Sequence, residues 1–229
     1  MRIFTYILLF LSFVLSTRVS AQSCDNGSVN LGTINAQWVY SNADLQIRFP
    51  LSSGWYVYDY LSAPKRYLRV GSDYLKISLG LSEMSDGGLI DLNQLKALPI
   101  NFAPILLSIS RLTDTSALVP SPEDHAGTAS LSLRVYAARS EDPGQMLATL
   151  FNLATGKTLD SASIKDTLIG SIPFKYTTIA GQGGNSQPGN SLLATRKFGC
   201  VYVVARMVYQ TEADLTDLFD LCRNIASGQ

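Results

Sequence analysis

The chain has 229 residues, with 18 basic and 18 acidic side chains and one histidine. Balanced charge gives no basic footprint for nucleic acid or an anionic membrane. A single histidine weakens the usual hydrolase and zinc constellations, which draw on imidazole as base or ligand.

The chain opens MRIFTYILLFLSFVLSTRVSA. Arg2 precedes an apolar run from Ile3 to Leu15, too short for a comfortable membrane span and the right length for a signal-peptide core. Val19-Ser20-Ala21 provides the residues that signal peptidase needs, so residues 1–21 are read as a signal peptide cleaved after Ala21. A rival reading lipidates Cys24, but Ala21-Gln22-Ser23 lacks the Leu expected three places upstream. The expectation is export, periplasmic or secreted, with no stable membrane span. Losing Arg2 and Arg18 takes the net charge to about −2 and leaves about 208 residues, enough for one domain with a substantial core.

Residues 22–33 are read as a flexible lead and 34–229 as a single domain. INAQWVYS (34–41) and LQIRFPL (45–51) flank the polar turn Asn42-Ala43-Asp44 and predict a hairpin. GWYVYDYL (54–61), RYLRV and YLKISLGL (74–81) add short strands rich in aromatic and β-branched residues. LIDLNQLKAL predicts a short helix that Pro99 must end. ILLSISRL (105–112) and SLSLRVYAA (130–138) alternate as a strand pair should.

A clear helix follows. Asp142 caps it, Pro143 suits its first turn and Gly156 its exit, with Met146, Leu147, Leu150 and Ala154 on one face. TLIGSIPFKYTTIA (167–180) resumes strand character, and GQGGNSQPGNS (181–191) is read as a connecting loop lacking the Lys-Ser/Thr ending of a phosphate loop. Val201 to Tyr209 is almost all apolar, as a central strand buried on both faces would be. Thr211 and Asp214 predict a capping box for a terminal helix whose inward face holds Leu215, Leu218, Phe219, Cys222 and Ile225.

The Phe49-Pro50 to Gly54-Trp55 segment and the ending YVVARMVYQTEADLTDLF resemble the Mog1/PsbP-like family over about residues 34 to 227. The resemblance implies an α+β fold in which an antiparallel β-sheet is flanked by helices, an α/β/α sandwich. It also implies a binding or assembly role and little chemistry, since fold alone does not set function. The segments 82–104 and 113–128 depart from that compact pattern.

Three cysteines in an exported chain permit one bridge and leave one thiol free or paired with another chain. A ten-residue strand rises about 33 Å and a ten-residue helix about 15 Å, which disfavours a Cys200–Cys222 bond. Cys24 is expected to bridge to one of them, with Cys222 preferred. Asp86-Gly87-Gly88 and Asp91 lack the ladder of oxygen ligands that a calcium loop needs. His125, within SPEDHAGT, is read as a solvated turn residue. No catalytic residue, metal or cofactor is assigned.

The aromatic cluster in the first third carries the functional expectation. Alternation in GWYVYDYL sends Tyr56, Tyr58 and Tyr60 to one face and Trp55, Val57 and Asp59 to the other. Lys65, Arg66 and Arg69 follow closely. Ordinary cross-strand packing explains such a cluster; its functional reading is a surface for a protein or glycan partner, using Trp55, Tyr56, Tyr58, Tyr60 and Arg66. The expected function is an exported, non-enzymatic binding or assembly protein. The alternatives are an exported hydrolase using His125 and a periplasmic immunity-type inhibitor that occludes a toxin's active site.

Overall fold

The computed structural model describes residues 27–59, 66–71, 89–112, 127–138, 142–181 and 189–227. The all-apolar segment behaves as its composition dictates: β13 (Val201–Tyr209) lies inside an eight-stranded sheet, between β12 (Asn190–Phe198) and β9 (Gly127–Ala137). Outward from β12 come β11 (Ile172–Ile179) and β10 (Lys165–Ile169); outward from β9 come β8 (Ile105–Leu112), β5 (Tyr56–Asp59) and β6 (Arg66–Arg69). Every neighbouring pair is antiparallel. The predicted 105–112 and 130–138 pair is therefore present, with register shifts in β8 at both ends.

The two faces of this sheet are covered differently. Helix α2 (Pro143–Thr155) starts as its sequence dictates: Asp142 accepts from the Gly144 N–H, and Gly156 ends it in the left-handed conformation. Met146 packs with Tyr202 and Val204, and Leu147 with Ile179 and Leu193, so α2 sits on the face carrying the even residues of β13. The odd residues Val201, Val203, Ala205 and Met207 face the opposite way, into the main core with Leu218 and Cys222. Those two come from the terminal helix α3 (Glu212–Cys222), held by the Thr211–Asp214 capping box.

The predicted hairpin exists but does not join the large sheet. β3 (Val39–Asn42) pairs with β4 (Ile47–Pro50), and β2 (Thr33–Ile34) and β14 (Ala226–Ser227) extend them into a separate four-stranded sheet. Its Tyr40, Ile47 and Phe49 enter the same core as α3, so a second sheet supplies much of the layer that helices were expected to form. β1 (Ser28–Asn30) pairs with β7 (Leu89–Asp91), which places strand structure inside the expected 22–33 lead. α1 (Leu92–Ala97), capped by Asp91 and followed by Leu98-Pro99, completes the α-helices of the described residues.

This corrects the fold class. The antiparallel sheet is present, but strand outweighs helix about two to one and the fold is mostly β, so it is not the α/β/α sandwich that the resemblance implied. The physical reason lies in Trp38, Tyr40, Ile47 and Phe49, all buried. Their hairpin buries one face by packing across the core, and that needs no extra helix. The expected strand at 74–81 lies outside the described residues. No helix among the described residues is long and apolar enough to cross a membrane.

Candidate functional site

The aromatic residues singled out from sequence do not form one surface. The register Tyr56↔Ser110 and Val57↔Ile109 sends Trp55 and Val57 into the main core, while Tyr56 and Tyr58 lie on the opposite face, as alternation requires. Trp55 is 5% exposed and lies beneath the Arg111 guanidinium, 4.9 Å from its ring centroid; Arg111 also pairs with Asp217 of α3. Tyr58 is 3% exposed and meets the Tyr67 ring edge-on at 5.1 Å. Burial raises the Tyr67 hydroxyl well above its usual pKa, against hydrogen bonds with Ser108 and Ser110. Tyr56 is half-buried and Arg66 begins β6; Tyr60 and His125 lie outside the described residues. Trp55 and Tyr58 are thus packed, and only Tyr56 of the row is placed with an accessible side chain.

The cysteines correct a second expectation. Cys222 is a free thiol with 0% exposure, so the preferred Cys24–Cys222 bridge is absent. Its side chain packs inward among β13 residues and Leu218, where another thiol could reach it only by displacing core. Cys200, at the β12–β13 turn, is the disulfide-bonded one. With three cysteines in the chain and Cys222 free, sequence arithmetic leaves Cys24, itself outside the described residues. A non-reducing digest analysed by mass spectrometry is expected to join Cys200 to Cys24, with Cys222 alkylating only after unfolding. A peptide linking Cys222 to either would overturn this assignment.

The α2 face holds a cluster that the sequence reading passed over. β9 alternates as SLSLRVYA, so Leu131, Leu133 and Val135 go to the core while Ser130, Ser132, Arg134 and Tyr136 share the other face. On β13 the same face receives Tyr202, Val204 and Arg206. The register pairs Tyr202 with Tyr136, Val204 with Arg134 and Arg206 with Ser132. Arg134 and Arg206 are therefore diagonal neighbours, with backbones about 7–8 Å apart. Strands β8, β9, β12 and β13 contain no Asp or Glu, so no carboxylate from these strands neutralises the pair.

Electrostatics tie the cluster together. Arg206 is only partly exposed, and desolvation, then the neighbouring Arg134, lowers its pKa. Among the described residues it has no hydrogen-bond or ion-pair partner, whereas Arg134 Nη1 donates to the Ala103 carbonyl at 3.5 Å. Burial raises the pKa of Tyr136, while both guanidinium groups act to lower it. Arg206, held beside another arginine in an apolar central strand, costs folding energy, because among the described residues no counter-charge replaces its lost hydration. An anion placed at the Tyr136 hydroxyl would relieve that cost and accept charge-assisted hydrogen bonds.

A cavity of about 260 Å³ adjoins the cluster. Tyr136 and Tyr202 lie along its floor, Gln145, Met146 and Thr149 of α2 form one wall, and Leu98-Pro99-Ile100 the other. Pro99, Gln145 and Thr149 are exposed at its rim. Among the described residues no group of three His, Cys, Asp or Glu side chains could hold a metal. The signal for this site was present in sequence as the one charged residue, Arg206, within VYVVARMVY. It was overlooked because the strand register that sets Arg206 beside Arg134 is a long-range property. No known protein family, curated protein or solved structure matches the chain.

Proposed function

We propose that this is an exported, non-enzymatic binding protein that recognises a protein or glycan partner through an acidic group, at the Arg134–Tyr136–Arg206 face of the large sheet. The export part rests on the apolar N-terminal segment and its Val19-Ser20-Ala21 ending. The observation that carries the binding part is Arg206, partly buried and without a partner among the described residues, in the middle of the best-packed strand. A residue that costs stability and satisfies no internal group is retained for something outside the fold. The aromatic cluster adds support of a different kind: packed Trp55 and Tyr58 make the neighbouring strands a rigid base.

The test is capture from the native envelope by immobilised protein, comparing wild type with Arg206→Met. The variant keeps the stem and removes the charge. Capture is expected to fall about tenfold or more, while thermal stability stays equal or rises by about 1 kcal/mol. Undiminished capture by the variant would overturn the assignment of this face. Loss of capture together with a collapse in stability would overturn it too, by making Arg206 a structural residue.

A further inference from the structure

We infer that the cavity takes a short extended segment of a partner polypeptide, which adds as a strand beside Ala137 and sends one large apolar side chain inward. The site uses neither arginine, so it stands apart from the arginine face. It begins with a gap in the sheet. β8 accompanies β9 only as far as Ile105, which pairs with Arg134. Before Ile105 lie Pro104, Ala103 and the 3₁₀ turn Ile100–Phe102, which do not continue the strand.

Hydrogen bonds fix which way the backbone faces there. Ala138 N–H donates to the Cys200 carbonyl at 2.9 Å, on the β13 side. Val135 N–H donates to the Pro104 carbonyl at 3.0 Å, on the opposite side. Successive residues of an antiparallel strand turn their N–H and C=O to opposite edges. Ala137 therefore presents both groups on the Pro104 side, away from β13. Neither has a partner among the described residues, although Ala137 is only 7% exposed. A backbone pair shielded from water and left unmade costs free energy that a bound strand would recover. One extended residue laid opposite Ala137 would exchange two hydrogen bonds with it, the pattern of strand addition.

The cavity lies at this same edge, where Ala103, Val135, Tyr136 and Ala137 all line it. A residue opposite Ala137 would share its face, on which Leu95 also packs, so a small side chain suits that place. The next residue of the segment would turn to the other face, towards Tyr136, Tyr202 and Met146. A dry cavity of about 150 Å³ suffices for a benzene ring. At about 260 Å³ this one holds one aromatic or branched side chain with its peptide unit. The lining residues are all uncharged, which matches a neutral, apolar segment. A sugar ring would instead leave its hydroxyl groups against Leu98, Ile100 and Met146, an expensive burial.

The experiment uses the purified protein and three probes: acetyl-Ala-Phe-N-methylamide, the same peptide methylated on its Ala nitrogen, and toluene. Binding is read by NMR, from shifts of the Met146 methyl group and from hydrogen exchange of the Ala137 amide. The first peptide is expected to slow that exchange and to bind about tenfold more tightly than its methylated form. Ala137→Pro removes the N–H that the segment would use and no bond of the fold. It should therefore weaken the first peptide to the level of the methylated one, and the comparison of peptides stands without this variant. Arg206→Met should leave peptide binding unchanged, and a loss there would overturn the separation of the two sites. Equal binding of the two peptides would overturn the strand pairing. Toluene binding without either peptide would overturn the polypeptide occupant. An Ala137 amide already protected in the free protein, with no probe bound, would overturn the inference by showing the place filled by this chain or a second copy.

Discussion

Gly170→Ala is expected to destabilise the protein by about 3 kcal/mol or more, lowering Tm by about 10 °C. Gly170 lies in the two-residue turn between β10 and β11, where Ile169 pairs with Ile172, and it has φ +62°. That conformation alone costs a side-chain-bearing residue about 1–2 kcal/mol. The added Cβ would also stand 2.1 Å from the Ile225 carbonyl oxygen and 2.8 Å from that of Cys222. These are backbone atoms with duties: Ile225 N–H donates to the Cys222 carbonyl at 2.9 Å, and Ser171 N–H donates to the Ile225 carbonyl at 3.0 Å. The turn and the exit of α3 are docked through this contact, so one must give way. Gly156→Ala is the control, because it has φ +69° with nothing within 4 Å of its added Cβ. It carries the conformational cost without the collision and should lose about 1 kcal/mol. Chemical denaturation of both variants separates the two effects, and equal losses would refute the close docking of turn and helix.

Alkaline pH is expected to weaken the fold through the buried Cys222 thiol. Burial pushes the Cys222 thiol up to about 12 from its ordinary value near 9.0. A raised acid keeps its proton in the folded state while the unfolded chain releases it. The stabilisation is therefore complete below pH 9 and is lost as pH rises towards 12. Each pH unit across that window costs up to about 1.4 kcal/mol. Tyr40 acts in the same direction at higher pH, since burial raises its hydroxyl above the usual value against a hydrogen bond with Asn42. Urea unfolding between pH 8 and about 11 should show falling stability, with the slope reduced in Cys222→Ala. That variant also loses a buried sulfur, about 1–2 kcal/mol at neutral pH, and this offset is independent of pH. Identical slopes in the two proteins would mean that solvent reaches the thiol.

Local elements were readable wherever one short stretch held the whole physical cause. The α2 helix follows from Asp142, Pro143 and Gly156, the α3 cap from Thr211 and Asp214, and the burial of β13 from its unbroken apolar run. Each of these causes acts within a few residues of its effect. The candidate site was legible only as fragments, an alternating SLSLRVYA and a lone Arg206, because neither fragment specifies which strand lies beside which.

The tertiary structure decided what depends on partners distant in the chain. It set the 39–50 hairpin as a separate sheet across the core, which replaced the expected helical layer. It buried Trp55 and Tyr58, since an amphipathic ring takes its setting from the layer packed on it. It left Cys222 as a core thiol and gave the bridge to Cys200. It also placed Arg134 diagonal to Arg206 by a register spanning about 70 residues of sequence. Sequence by itself determined the elements, because capping, turn chemistry and periodicity are short-range forces. The arrangement of those elements, and with it the binding face, came from burial and strand pairing, which balance only when the entire chain is folded.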